Sequence, residues 1–157
     1  MIYVVSLVSF ILDFILNHIF YDTLFLPLFY IVCLVILERY FKDKKKYYIY
    51  CFGFGLFYDL FYFNTIFLNA SLFSIVGIFI KYFNNNFSNN IITLCLSIIL
   101  FIFMYRLLSF GFYFINRLVD LDLFLFLKSI YSSLILNVIY SFILYFVLKK
   151  FKFKSIK

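Results

Sequence analysis

The strongest constraint on this chain is a succession of apolar runs, each close to the thickness of a bilayer and separated by breaks of 2 to 14 residues. The runs lie at about Ile2 to Phe20, Leu24 to Tyr40, Tyr47 to Phe63, Ile66 to Phe83, Ile91 to Phe114 and Ser129 to Leu148. A helix needs about 20 apolar residues to cross the hydrocarbon core, so continuous runs of this length read as helical spans. With 67% hydrophobic residues, 13% charged residues and one proline in 157, little is left for a soluble domain. The expected fold class is an all-α integral membrane protein: one polytopic domain, residues 1–157, built as a bundle of six transmembrane helices. Only Asn64-Thr65 separates the third and fourth runs. That pair is expected to form a tight hairpin, or else the third segment breaks at Gly53-Phe54-Gly55, which lipid tolerates only if the irregular backbone is buried in protein.

Orientation follows from lysine and arginine in the short loops. Arg39, Lys42, Lys44, Lys45, Lys46, Lys81, Lys149, Lys150, Lys152, Lys154 and Lys157, 11 of the 14 basic residues, fall on one side if six spans leave both termini in the cytoplasm (N-in/C-in). Arg106, Arg117 and Lys128 go to the other face, with Asp22, Asp120 and Asp122. The net charge of +7 is therefore a topology signal first. The same clusters meet anionic lipid at the cytoplasmic face, worth about 1 kcal/mol per residue near the surface. No basic stripe on a soluble fold points to nucleic acid.

Other features bound function by what they lack. Phe (27), Tyr (15), Asn and Lys are over-used and Ala70 is the one alanine, a pattern resembling the codon bias of an AT-rich genome. Cys33, Cys51 and Cys95 show no metal-ligand spacing and read as small buried hydrophobes. The start, Met1-Ile2-Tyr3-Val4-Val5, has neither a basic n-region nor a cleavage site, so the first run is expected to be a span. His18 reads as interfacial. No nucleophile elbow, phosphate-cradling loop or His motif appears, so neither an enzyme nor a cofactor or metal site is expected.

The residues that stand out are polar groups inside the runs. Asp59 follows Gly55 by four residues, and an aspartate at a helix centre costs about 2.5 to 3.5 kcal/mol on the insertion scale, so it should face protein rather than lipid. Polar or small residues recur at helical spacing in the first run (Ser6, Ser9, Asp13, Asn17), the fourth (Ala70, Ser74, Gly77) and the sixth (Ser133, Asn137, Ser141). Such seams let helices approach and hydrogen-bond, and should face the bundle interior. At 1.5 Å of rise per residue, Asp59, Asp13, Asn137 and Arg106 all fall about 7 to 12 Å beneath the outer surface. Two readings of Arg106 follow: it neutralises Asp59 or Asp13 in a buried cluster completed by Asn137, or it snorkels alone to the interface.

These residues also carry a family resemblance. Gly53-Phe54-Gly55-Leu56-Phe57-Tyr58-Asp59-Leu60-Phe61 is similar to the glycine-x-glycine-leucine-x-x-aspartate-leucine segment of the MreD family of rod shape-determining proteins. Ser9-Phe10-Ile11-Leu12-Asp13 with Leu26-Pro27-Leu28 resembles the family's acidic first span and the proline opening its second. Leu136-Asn137-Val138-Ile139-Tyr140 ahead of a basic tail resembles its last. The chain departs where the family usually shows a glycine in the outer turn, having Asn64, Thr65 and Asn69 there. The resemblance implies a non-enzymatic scaffold in the bacterial cytoplasmic membrane. It would associate with an MreC-like bitopic protein and, indirectly, with MreB filaments and peptidoglycan synthases. Asp59, Gly53, Gly55, Asp13, Arg106 and Asn137 are then the structural or docking candidates. The competing class is the substrate-binding subunit of an energy-coupling-factor vitamin transporter, with Asp59 and Arg106 as a ligand pocket. Its alanine-x-x-x-alanine surface on the first span is absent, and Ser6 and Ser9 have the wrong spacing to replace it.

Overall fold

The computed structural model describes residues 2–19, 27–41, 43–62, 67–87, 90–117 and 123–150. Lys42, Asp22, Asn64, Thr65, Asp120, Asp122 and the lysines beyond residue 150 lie outside that set. The described residues form α1 (Ile2–Ile19), α2 (Phe29–Leu37) running into a 3-10 turn (Glu38–Tyr40), α3 (Lys44–Tyr62), α4 (Leu68–Asn86), α5 (Ile91–Ile115) and α6 (Leu123–Lys150). No strand occurs among them. α3 passes through Gly53 and Gly55 as unbroken helix, so the third segment is continuous.

The shortest helix is the centre of the bundle. Every residue of α2 is at most 6% exposed, and its sequence, Phe-Tyr-Ile-Val-Cys-Leu-Val-Ile-Leu, is apolar on all sides, as a helix surrounded by others must be. α2 packs on α1, α4, α5 and α6, and its Tyr30 ring meets Tyr50, Phe54 and Tyr58 of α3. The other five helices close a ring around it. α3 lies along α4, α4 along α5 and α5 along α6. α6 reaches α1 through a 2.7 Å hydrogen bond between the Tyr140 and Ser9 hydroxyls, and α1 reaches α3 through Phe10 against Tyr58 and Phe61.

Inside and outside are arranged as lipid requires. Ser6, Ser9 and Asp13 of α1 and Ser133, Asn137 and Ser141 of α6 are all 0% exposed, so both seams face inward. The outer face of α1 presents Val4, Leu7, Ile11, Phe14 and Ile15. Three helical stretches, Ile2–Ile19, Ile91–Ile115 and Phe126–Lys150, are long and apolar enough to cross a membrane.

The second run departs from expectation. Among the described residues of the run, 27–40, it is α-helical over nine, about 13 Å. Pro27 has no N–H and a fixed φ, so the helix starts just beyond it, and at Glu38 the turn tightens. A helix this short cannot cross a bilayer unaided. It is held in the interior by its neighbours, which must also satisfy both its ends.

Candidate functional site

Burying a helix end away from water leaves its first N–H groups without partners, at a cost of about 1 to 3 kcal/mol each if they stay unmade. α2 begins beside Asp13, six residues before the end of α1, so its first turn is recessed by about 9 Å relative to the neighbouring helix. Its donors are all accounted for. Pro27 offers none. Leu28 N donates to Asn137 Oδ1 at 3.0 Å, Phe29 N to Asp13 Oδ1 at 2.8 Å and Tyr30 N to Asp13 Oδ2 at 2.9 Å, while Ile31 N reaches Leu28 O within the chain. Tyr58 of α3 adds its hydroxyl to Asp13 Oδ2. One carboxylate thus fastens α1, α2 and α3 together, and the positive end of the α2 dipole favours its charge. Asn137 brings in α6.

The same device recurs at α4. Phe67 precedes that helix with φ of 67°, a left-handed conformation that favours glycine, and supplies no side-chain cap. Asp59 of α3 does so instead. Its Oδ1 accepts Asn69 N at 2.8 Å and Asn69 Nδ2 at 3.0 Å, and its Oδ2 accepts Ala70 N at 3.0 Å. The Asn69 side chain carries the link onward, accepting Tyr105 of α5 at 2.6 Å. By contrast α5 opens on an exposed Asn90 and is capped locally by Asn90 and Thr93.

Spacing explains the glycine. Gly55 lies one turn before Asp59 on the same face of α3. A Cβ there would sit 2.4 Å from Ala70 Cα and 2.6 Å from Asn69 O, so the first turn of α4 rests against the bare backbone while Asp59 holds its amides. Gly77 plays a lesser part further along the hairpin, with Cys51 Sγ 2.7 Å from where its Cβ would be. Gly53 lies off this face, and a Cβ there would meet nothing within 4 Å. Of the two glycines singled out together, only Gly55 is required by packing.

The four polar residues placed at similar depth therefore divide. Asp13 and Asn137 meet at the start of α2, and Asp59 serves α4. The adjacent Tyr58 and Asp59 send their side chains to the two different caps. Arg106, next to Tyr105 on α5, is half-buried and lies within electrostatic reach of Asp13.

A second polar cluster, which no motif in the sequence announces, lies at the far end of α2. Glu38 is 0% exposed; its Oε1 pairs with Lys81 Nζ and its Oε2 accepts Asn84 Nδ2 at 2.8 Å. The last carbonyls of α2 are covered too, Leu34 O by the Tyr47 hydroxyl at 3.3 Å and Val35 O by Asn84 Nδ2 at 3.4 Å. Lys81 is 9% exposed. It is a buried counter-ion within α4 rather than a loop charge, and the sequence cue, an acid closing an apolar run, was masked by the basic residues following it. Replacing Lys81 by Met would leave Glu38 buried without its cation. Detergent-unfolding titrations are expected to show a loss of about 2 kcal/mol, lessened by the pair's nearness to the bundle end. Glu38→Gln, which keeps an acceptor for Asn84, should lose less.

Among the described residues no cluster of His, Cys, Asp or Glu could hold a metal. In comparison with known proteins, the family model described as rod shape-determining protein MreD matches residues 1–154. Neither a curated protein nor a solved structure matches the chain.

Proposed function

The chain belongs to the MreD family of rod shape-determining proteins, and from that premise we propose that it is a non-enzymatic scaffold of the bacterial cell-elongation machinery. It is a multi-pass protein of the cytoplasmic membrane, with six crossings and both termini inside. It docks an MreC-like bitopic protein through lipid-facing helix surfaces and, through that partner, couples MreB filaments to peptidoglycan synthases outside.

The family match over nearly the whole chain carries this reading. The use made of the buried acids supports it: Asp13 and Asp59 are engaged by backbone amides of α2 and α4, so their insertion cost is offset by construction of the bundle, not by a moving ion or a ligand. The family match gives the vitamin-transporter alternative no support. What a scaffold of this design offers is a rigid interior and an apolar outer surface on which helices dock by shape.

Depletion in the native cell tests the proposal. Rod-shaped cells are expected to round and swell, with wall synthesis no longer distributed along the sides, and wild-type protein should restore them. Asp59→Asn should insert in the membrane yet restore shape incompletely, since an amide replaces one of the two acceptor oxygens holding α4. Unchanged shape and wall-labelling pattern after depletion would reject the scaffold role.

A further inference from the structure

Arg39 follows the buried Glu38, and its position poses a separate problem. The guanidinium is half-buried, and its Nε is closed off from solvent with no hydrogen-bond partner. Its adjacent carboxylate is already engaged, one oxygen by Lys81 and the other by Asn84. The remaining groups acting on it are the phenols of Tyr40 and Tyr145, which are neutral. A buried N–H of a charged group without an acceptor is costly, and an anionic acceptor at this position would offset that cost.

The surroundings define its kind. Tyr145 sits on the last turns of α6, one turn before Lys149. Phe41, two residues after Arg39, packs its ring on Tyr47 and Tyr50 of α3, 5.6 and 5.0 Å between centroids, bringing in the helix that begins with Lys44, Lys45 and Lys46. The site thus lies at the basic end of the bundle, where headgroups meet the protein. On α6, exposed Phe142 and Phe146 flank Tyr145 and give an acyl chain an apolar track. A guanidinium fork matches two oxygens of a phosphate, and tyrosines suit an interface that is apolar at one end and wet at the other.

We propose that Arg39, with Tyr40 and Tyr145, binds the phosphodiester headgroup of an anionic glycerophospholipid of the adjacent leaflet. The site is independent of the cell-shape role and needs only that this end of the bundle meet the membrane surface.

Full-length protein in an uncharged detergent, doped with phosphatidylglycerol, phosphatidylcholine or inorganic phosphate, provides the test by native mass spectrometry and thermal unfolding. Phosphatidylglycerol should be retained and should raise the unfolding midpoint. Phosphatidylcholine and inorganic phosphate at equal concentration should not. Arg39→Gln should weaken phosphatidylglycerol binding about tenfold, whereas Gln at Lys44, Lys45 and Lys46 together should weaken it less, by an amount that salt erases. If Arg39→Gln fails to fold, Arg39→Lys, which keeps the charge and loses the fork, should still bind more weakly than wild type. Undiminished phosphatidylglycerol binding by either Arg39 variant would overturn the proposal. So would equal retention of phosphatidylcholine, or equal stabilisation by inorganic phosphate.

Discussion

Asp13→Leu is expected to destabilise the bundle by roughly 2 to 5 kcal/mol and to release α2 from its place, read as a large drop in the denaturing-detergent midpoint. Three donors lose their acceptor at once: Phe29 N, Tyr30 N and the Tyr58 hydroxyl. Interhelical hydrogen bonds in membranes average about 0.6 kcal/mol, because separated helices also find partners, which sets the lower bound. The upper bound comes from donors left dry and unmade. The opposing effect is removal of an acid that is itself costly to insert. That cost is already offset in the folded protein by the three donors and by the α2 dipole, so the loss wins. α2, nine residues long and below the length at which helices hold alone, has no local means of recovery. Asp13→Asn retains one acceptor oxygen and should lose about half as much. Indistinguishable midpoints for wild type and Asp13→Leu would show that the cap contributes nothing.

Gly55→Leu is expected to prevent α3 and α4 from closing, whereas Gly53→Ala should be tolerated or slightly stabilising. At Gly55 the atoms in the way are backbone: Ala70 Cα and N and Asn69 O, at 2.4 to 2.7 Å from a Cβ. No rotamer change relieves such a contact. Even Gly55→Ala must push the first turn of α4 outward, costing about 1 to 3 kcal/mol and lifting Asn69 and Ala70 from Asp59 one turn away. At Gly53 nothing stands within 4 Å, and alanine gains about 0.5 to 1 kcal/mol of helix preference. The pair is measured by the proximity of cysteines placed on the two helices and by unfolding midpoint. Equal effects at the two positions would contradict the close approach assigned to Gly55.

Much of this architecture was open to reading in the sequence because lipid imposes a simple rule on length and polarity. Each of the six apolar runs contains a helix, and the serines of the first and last runs face inward because every third or fourth residue shares a face. Asp13, Asp59, Asn137 and Gly55 stood out because polar or bare positions in such runs need a reason. Their partners were hidden. The natural expectation for a buried acid is a cation, and Arg106 was the obvious one. Arg106 does lie within electrostatic reach of Asp13, but oxygens of both acids are also met by main-chain amides, which every residue has and no side-chain pattern announces. Gly53 and Gly55 were separable in principle, since only Gly55 lies one turn from Asp59. The left-handed Phe67 was not, because phenylalanine gives no hint of positive φ. Glu38 is inconspicuous beside Arg39, and Lys81, its partner, reads as a loop charge because distant side chains pair only once α2 is placed at the centre.

Asp13 holds the recessed first turn of α2 and Asp59 the first turn of α4, each its own helix. Amide hydrogen exchange at Phe29, Tyr30, Asn69 and Ala70, compared among wild type, Asp13→Asn and Asp59→Asn, tests it most directly. Asp13→Asn is expected to speed exchange at Phe29 and Tyr30 while Asn69 and Ala70 stay protected, and Asp59→Asn to do the reverse. Unchanged protection at the amides each acid contacts, or the same loss at all four amides in both variants, would contradict it.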